Sequence, residues 1–110
     1  MAHHSAFVVW MEFARTELLR ATGLSYRECE QRGIFFVVTG LEIRYRAPAY
    51  FDDLVTIHVQ SKAKGRVRIN HDYEFRRGDD VLAEAKSTLA CVDRNGRPTR
   101  IPDGLFPTDG

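Results

Sequence analysis

The chain has 110 residues, enough for one domain with one hydrophobic core. Hydrophobic residues make up 44% and charged residues 28%, a balance that excludes a disordered chain. The formal net charge of +1 offers no global basic field for nucleic acid. No apolar run approaches the ~18 residues of a membrane-spanning helix.

The start of the chain lacks the basic, apolar and small-residue order of a secretory signal. His3 and His4 are read as native, because a helical pattern runs straight on from them. Phe7, Trp10, Met11, Ala14, Leu18 and Ala21 recur at spacings of three and four and predict one long helix with a single apolar stripe. Ser5 is its expected N-cap and Gly23 its stop. Glu12 with Arg15, and Glu17 with Arg20, are i,i+3 pairs on the wetter side. Ser25-Tyr26-Arg27-Glu28 fits a capping box and predicts a short second helix closed by Gly33.

From Ile34 onward the period changes to two, the mark of strands. In the run Phe35–Tyr45 the large apolar positions are Phe35, Val37, Leu41, Ile43 and Tyr45. Asp52-Asp53 reads as a turn, and Val55, Ile57 and Val59 then alternate with polar residues. After Gly65, Val67, Ile69, Tyr73 and Phe75 share one face. Gly78-Asp79-Asp80 is a hairpin signal, and Val81, Ala83, Ala85, Leu89 and Cys91 form a fourth alternating run. Residues 97–110 hold Pro98, Pro102 and Pro107 and read as an irregular tail. The economical packing is an α+β domain spanning 1–110, with a curved antiparallel sheet wrapped on the long helix.

Cys29 and Cys91 have no metal-ligand spacing and read as reduced thiols of a cytoplasmic protein; no metal is expected. His58 falls on a polar strand phase and His71 on an apolar one, and both read as structural. Glu12 lies eight residues after His4, a little over two helical turns, so the two can share a face and serve acid–base chemistry. The competing reading pairs Glu12 with Arg15 on the surface.

The order of elements, with certain strings, resembles the hotdog-fold acyl-CoA thioesterases of the 4-hydroxybenzoyl-CoA thioesterase-like group. The strings include His3-His4-Ser5-Ala6-Phe7, Met11-Glu12-Phe13-Ala14-Arg15-Thr16-Glu17-Leu18, Glu42-Ile43-Arg44-Tyr45-Arg46-Ala47-Pro48 and Cys91-Val92-Asp93-Arg94-Asn95-Gly96-Arg97-Pro98. The resemblance implies a hotdog fold, an acyl-CoA substrate and no cofactor beyond the coenzyme A of that substrate. It implies a homodimer or homotetramer with sheets paired edge to edge and the pocket between subunits. It places the backbone amide of His4 at the thioester oxygen; together with the helical spacing of Glu12 from His4, this makes His4 and Glu12 the candidate catalytic residues. Lys62, Lys64, Arg66 and Arg68, clustered around Gly65, become candidates for the CoA phosphates. In the family an aspartate precedes the residue matched by His4 by seven positions, so here it falls ahead of Met1. On that ground the chain as it stands is expected to hydrolyse acyl-CoA slowly or not at all. The alternatives are a non-catalytic acyl-thioester-binding protein and an acyl-thioester dehydratase. Phe7, Trp10, Phe35 and Phe36 are candidates to line an acyl pocket.

Overall fold

A computed structural model describes residues 4–50 and 52–102, with only the backbone of His4 and Ser5. His3 and most of the expected tail lie outside the described residues. The elements are α1 (His4–Arg20), α2 (Tyr26–Gln31), β1 (Phe35–Tyr45), β2 (Thr56–Lys64), β3 (Arg68–Arg77) and β4 (Asp80–Val92). The strands form one antiparallel sheet in the order β1-β4-β3-β2, and α1 packs across one of its faces.

The apolar stripe of α1 buries Phe7, Met11, Ala14 and Leu19. Trp10 and Leu18 are half-buried, while Ala21, expected on the stripe, lies past the helix end and is exposed. Ser5, expected as the N-cap, lies within the helix. Phe7 organises this end of the core. Its ring meets Trp10, Tyr45 and Phe75 edge to face at centroid distances of 5.0, 5.2 and 5.1 Å, a favoured aromatic geometry. Tyr73, Phe75, Leu82, Ala83 and Ala85 complete the main cluster. Ile69 belongs instead to a second cluster with Ala63, Cys91 and Ile101.

Half of the expected α2 capping box forms: Ser25 Oγ accepts from the Glu28 amide at 3.1 Å, while Glu28 Oε1 accepts from the Ser25 hydroxyl at 3.3 Å. Gly33 follows with φ of 81°, a left-handed conformation that glycine adopts without a Cβ penalty.

β1 departs from the simple alternation. Its register with β4 shifts between Val38 and Gly40, a bulge that turns the strand over by one residue. Tyr45, Ile43 and Leu41 pair with the helix-side residues Ala83, Ala85 and Ser87. Beyond the bulge it is Val38 and Phe36, opposite Leu89 and Cys91, that share this face. Phe35 and Val37 join Glu42 and Arg44 on the other side, contrary to the expected common phase. The bulge is invisible to a period-two count because an inserted residue swaps odd for even.

The connection between β1 and β2 is tied down by Asp53. Its Oδ2 accepts from the Tyr50 amide at 2.6 Å and from Arg77 Nη1 at 2.9 Å. The backbone donor first, then Arg77, hold this carboxyl below the usual carboxylate range. Asp53 thus acts as a turn residue.

Candidate active site

The start of α1 lies over the row of the sheet that holds Tyr45, Ala83 and Phe75, because Phe7 packs on that row. The first four amides of a helix lack intrahelical partners and carry the positive end of its dipole. His4 lies in the first described turn of α1. Glu12 is eight residues on, about 12 Å along the axis. Its side chain is 63% exposed and lies 3.9 Å from Arg15 Nη2.

Glu12 and Arg15 border a groove of about 200 Å³ between the helices and the sheet edge. α1 supplies Glu12, Arg15 and Thr16, α2 supplies Tyr26 and Glu30, and the sheet supplies Phe36, Val38 and Leu89. Arg15, expected on the wetter side, is only 11% exposed at its side chain. Sequence reasoning missed both Arg15 and Tyr26. The one signal was that Tyr26 directly follows the cap residue Ser25, which anchors its ring over the sheet. That ring meets Phe36 edge to face at 5.5 Å. Burial raises the Tyr26 phenol to about 12, with the Arg15 charge opposing the rise.

His71 lies on the apolar face of β3 and is buried. Burial, reinforced by the Arg15 charge, pushes its pKa down to about 4. It stacks on Tyr73 at 6.0 Å, and the Tyr73 hydroxyl shares a buried 2.8 Å hydrogen bond with Ser87 Oγ. His58 faces the other side of the sheet and is exposed. Burial also raises both thiols, that of Cys91 to about 11, which leaves them poor nucleophiles. Among the described residues no three or more His, Cys, Asp or Glu side chains gather to hold a metal ion, and no helix is long and apolar enough to cross a membrane.

Lys62, Lys64 and Arg68 alternate with the buried Ala63 and Ile69, so they face away from α1; Arg66 sits in the turn between β2 and β3. Ile69 is six residues along β3 from Phe75, about 20 Å at strand rise. One protomer therefore keeps this basic cluster and the start of α1 at opposite ends of the sheet. His4 and Glu12 share a helix, but the four basic residues do not join them. A wider depression of about 720 Å³ lies on the face away from α1. Its charged residues pair among themselves, Arg76 with Glu74 and Arg44 with Glu42, as on a solvated sheet face.

A long helix packed across a four-stranded antiparallel sheet is the hotdog arrangement. The chain belongs to the thioesterase-like superfamily, whose family profile matches residues 1–106. It is similar to the acyl-CoA thioester hydrolase YbgC of Escherichia coli, at 29% identity over 107 residues covering 96% of this chain and 80% of that protein. The 1,4-dihydroxy-2-naphthoyl-CoA hydrolase of Synechococcus elongatus is 27% identical over 94 residues, covering 79% of this chain and 69% of its own length. Among solved structures, a hypothetical protein from Thermus thermophilus superposes with a TM-score of 0.84 at 32% identity, covering 96% of this chain and 79% of that one.

Proposed function

We propose that this protein hydrolyses an acyl-CoA thioester to a free acid and CoA. The family match over residues 1–106 carries the reading, and the position of His4 in the first described turn of α1 supports it chemically, since a helix's first amides lack intrahelical partners. Attack of water or a carboxylate on the thioester carbonyl places negative charge on its oxygen. The His4 amide and the helix dipole stabilise that oxyanion. Collapse breaks the C–S bond, CoA leaves as thiolate and takes up a proton, and the acid remains. Glu12 is the carboxylate that α1 offers toward the groove, while the family resemblance puts an aspartate seven residues ahead of His4.

Free-thiol release from a panel of acyl-CoAs tests this, run on the 110-residue chain and on one extended upstream by a strand bearing that aspartate. A gain of roughly two or more powers of ten in the extended chain, the usual worth of a nucleophile or base, would place that group in the upstream strand. Full activity in the shorter chain, abolished by Glu12→Gln, would instead make Glu12 the catalytic carboxylate. Equal inactivity in both would favour an acyl-thioester-binding protein.

The working form on this reading is a homodimer or a homotetramer, in the cytoplasm. β1 is an edge strand with Val37, Val38 and Leu41 exposed at 42, 48 and 47%. Val9 and Phe13 of α1 are exposed as well. A long apolar edge with unpaired backbone groups invites a second sheet. Sedimentation at micromolar concentration is expected to give at least a dimer; a stable monomer would sink the assembly.

A further inference from the structure

The basic residues around Gly65 lie away from the start of α1, and the fold adds others to them. Residues 62–71 contain Lys62, Lys64, Arg66 and Arg68 and no acidic residue; residues 94–102 contain Arg94, Arg97 and Arg100 and again none. Backbone bonds tie the two stretches together at one end of the sheet. Val67 O accepts from the Cys91 amide at 2.7 Å, Arg66 O accepts from the Ile101 amide at 2.8 Å, and Pro98 bridges to Val92. Arg94 is turned aside, since its Nη2 donates to Gln31 O at 3.3 Å. The other six are exposed. The neighbouring acid, Asp93, caps its own turn, its Oδ1 accepting from the Asn95 amide at 2.8 Å and the Arg97 amide at 3.0 Å. The ion pairs among the described residues include none to Lys64, Arg66, Arg68 or Arg97. With a formal charge of only +1 for the whole chain, the remainder is net negative and the positive field is gathered at this end.

Three kinds of anion could meet such an end. A small phosphate ligand is held in a concave site by polar groups of fixed geometry, whereas these cations stand on exposed strand ends and turns. A protein partner is anchored by large apolar or aromatic side chains among the charges, and none of the large exposed apolar residues among those described comes from these two stretches. A plane of anionic headgroups needs only cations that can reach it together, and each one adds to the attraction. We propose that this end of the sheet docks the protein on an anionic lipid surface, through Lys64, Arg66, Arg68 and Arg97, with Lys62 and Arg100 beside them. The contact is peripheral and electrostatic, so salt weakens it. It leaves the start of α1, at the other end of the sheet, clear of the lipid.

In the test, the 110-residue chain is sedimented with vesicles of phosphatidylcholine alone and of phosphatidylcholine mixed with phosphatidylglycerol. Binding is expected to the mixed vesicles only, and it should fall as salt is raised. Lys64→Gln, Arg66→Gln, Arg68→Gln and Arg97→Gln are each expected to weaken it about fivefold, the worth of one charge near such a surface, and the variant carrying all four by roughly 100-fold or more. Circular dichroism checks that the variants keep the fold, as substitutions at exposed positions should. Arg44→Gln removes an exposed charge that pairs with Glu42 elsewhere on the sheet, and should leave binding unchanged. Equal binding to both kinds of vesicle, no binding at low salt, full binding by the variant carrying all four changes, or an equal loss in Arg44→Gln each overturns the proposal. Release of the bound chain by equimolar CoA would return the cluster to the CoA phosphates. Salt-sensitive retention on polyglutamate without vesicle binding would assign it to an acidic protein. Either result also overturns the lipid assignment. No readout involves turnover, so the outcome is independent of thioester hydrolysis.

Discussion

His4→Pro is expected to lower kcat for acyl-CoA hydrolysis by about 10²- to 10³-fold, the usual cost of losing one oxyanion donor. His4 is the first described residue of α1. Proline is well tolerated at the first position of a helix, because its fixed φ suits a helix and its missing amide has no intrahelical partner there. The substitution therefore removes one hydrogen-bond donor while leaving the helix able to form. His4→Ala keeps the amide and removes the imidazole, and its loss should stay within about tenfold, well below the ~10²- to 10⁴-fold that a side-chain acid or base contributes. Single-turnover thiol release on both variants, with circular dichroism to check the helix, separates the backbone from the side chain. Unchanged kcat in His4→Pro would show that the oxyanion is held elsewhere. A large loss in His4→Ala would move the chemistry to the imidazole.

Acidification from pH 7 to pH 4 is expected to cost roughly 3 kcal/mol of folding stability through His71 alone, because a tenfold change in proton affinity is worth about 1.4 kcal/mol. The folded imidazole has its pKa lowered from 6.5 to about 4, burial being the larger cause and the Arg15 charge the smaller. Between those two values the unfolded chain holds a proton that the folded chain does not. Stability is therefore full above pH 6.5, falls steadily as the pH drops toward 4, and levels off below that for this group. Asp53 and Glu74 add losses at lower pH, since their partners hold both carboxyls down and that contribution goes only as the pH falls through their folded pKa values. Urea midpoints measured from pH 7 to pH 4.5 give the slope. His71→Gln should flatten it, whatever its effect at pH 7. A wild-type midpoint constant over that range would mean that the imidazole gains its proton without cost inside the fold.

The two helices and four strands were legible in order because their signals are local. A 3.6 period followed by a period of two, Gly78 between β3 and β4, and the Ser25–Glu28 box each depend on a few neighbouring residues. The buried phase of His71 was legible for the same reason, since Ile69, Tyr73 and Phe75 around it alternate cleanly. β1 was harder. The bulge between Val38 and Gly40 depends on its pairing with β4, about fifty residues away, and no count within β1 reveals it. Arg15 was misjudged because a guanidinium three residues from a glutamate looks like half of a surface pair. The short chain segment around Tyr26, folded back over β1, encloses it instead.

By itself the sequence determined the class of fold and the family, through patterns written within stretches of ten or so residues and strings that keep their order along the chain. Only the tertiary structure decided where the chemistry can sit. It separated the basic residues around Gly65 from the start of α1, and it drew one groove together from Glu12, Tyr26, Phe36 and Leu89. The reason is physical. Secondary structure follows from torsional preference and local burial, whereas a groove is the space left when distant elements cannot close on one another, and that space is defined only once all of them have packed.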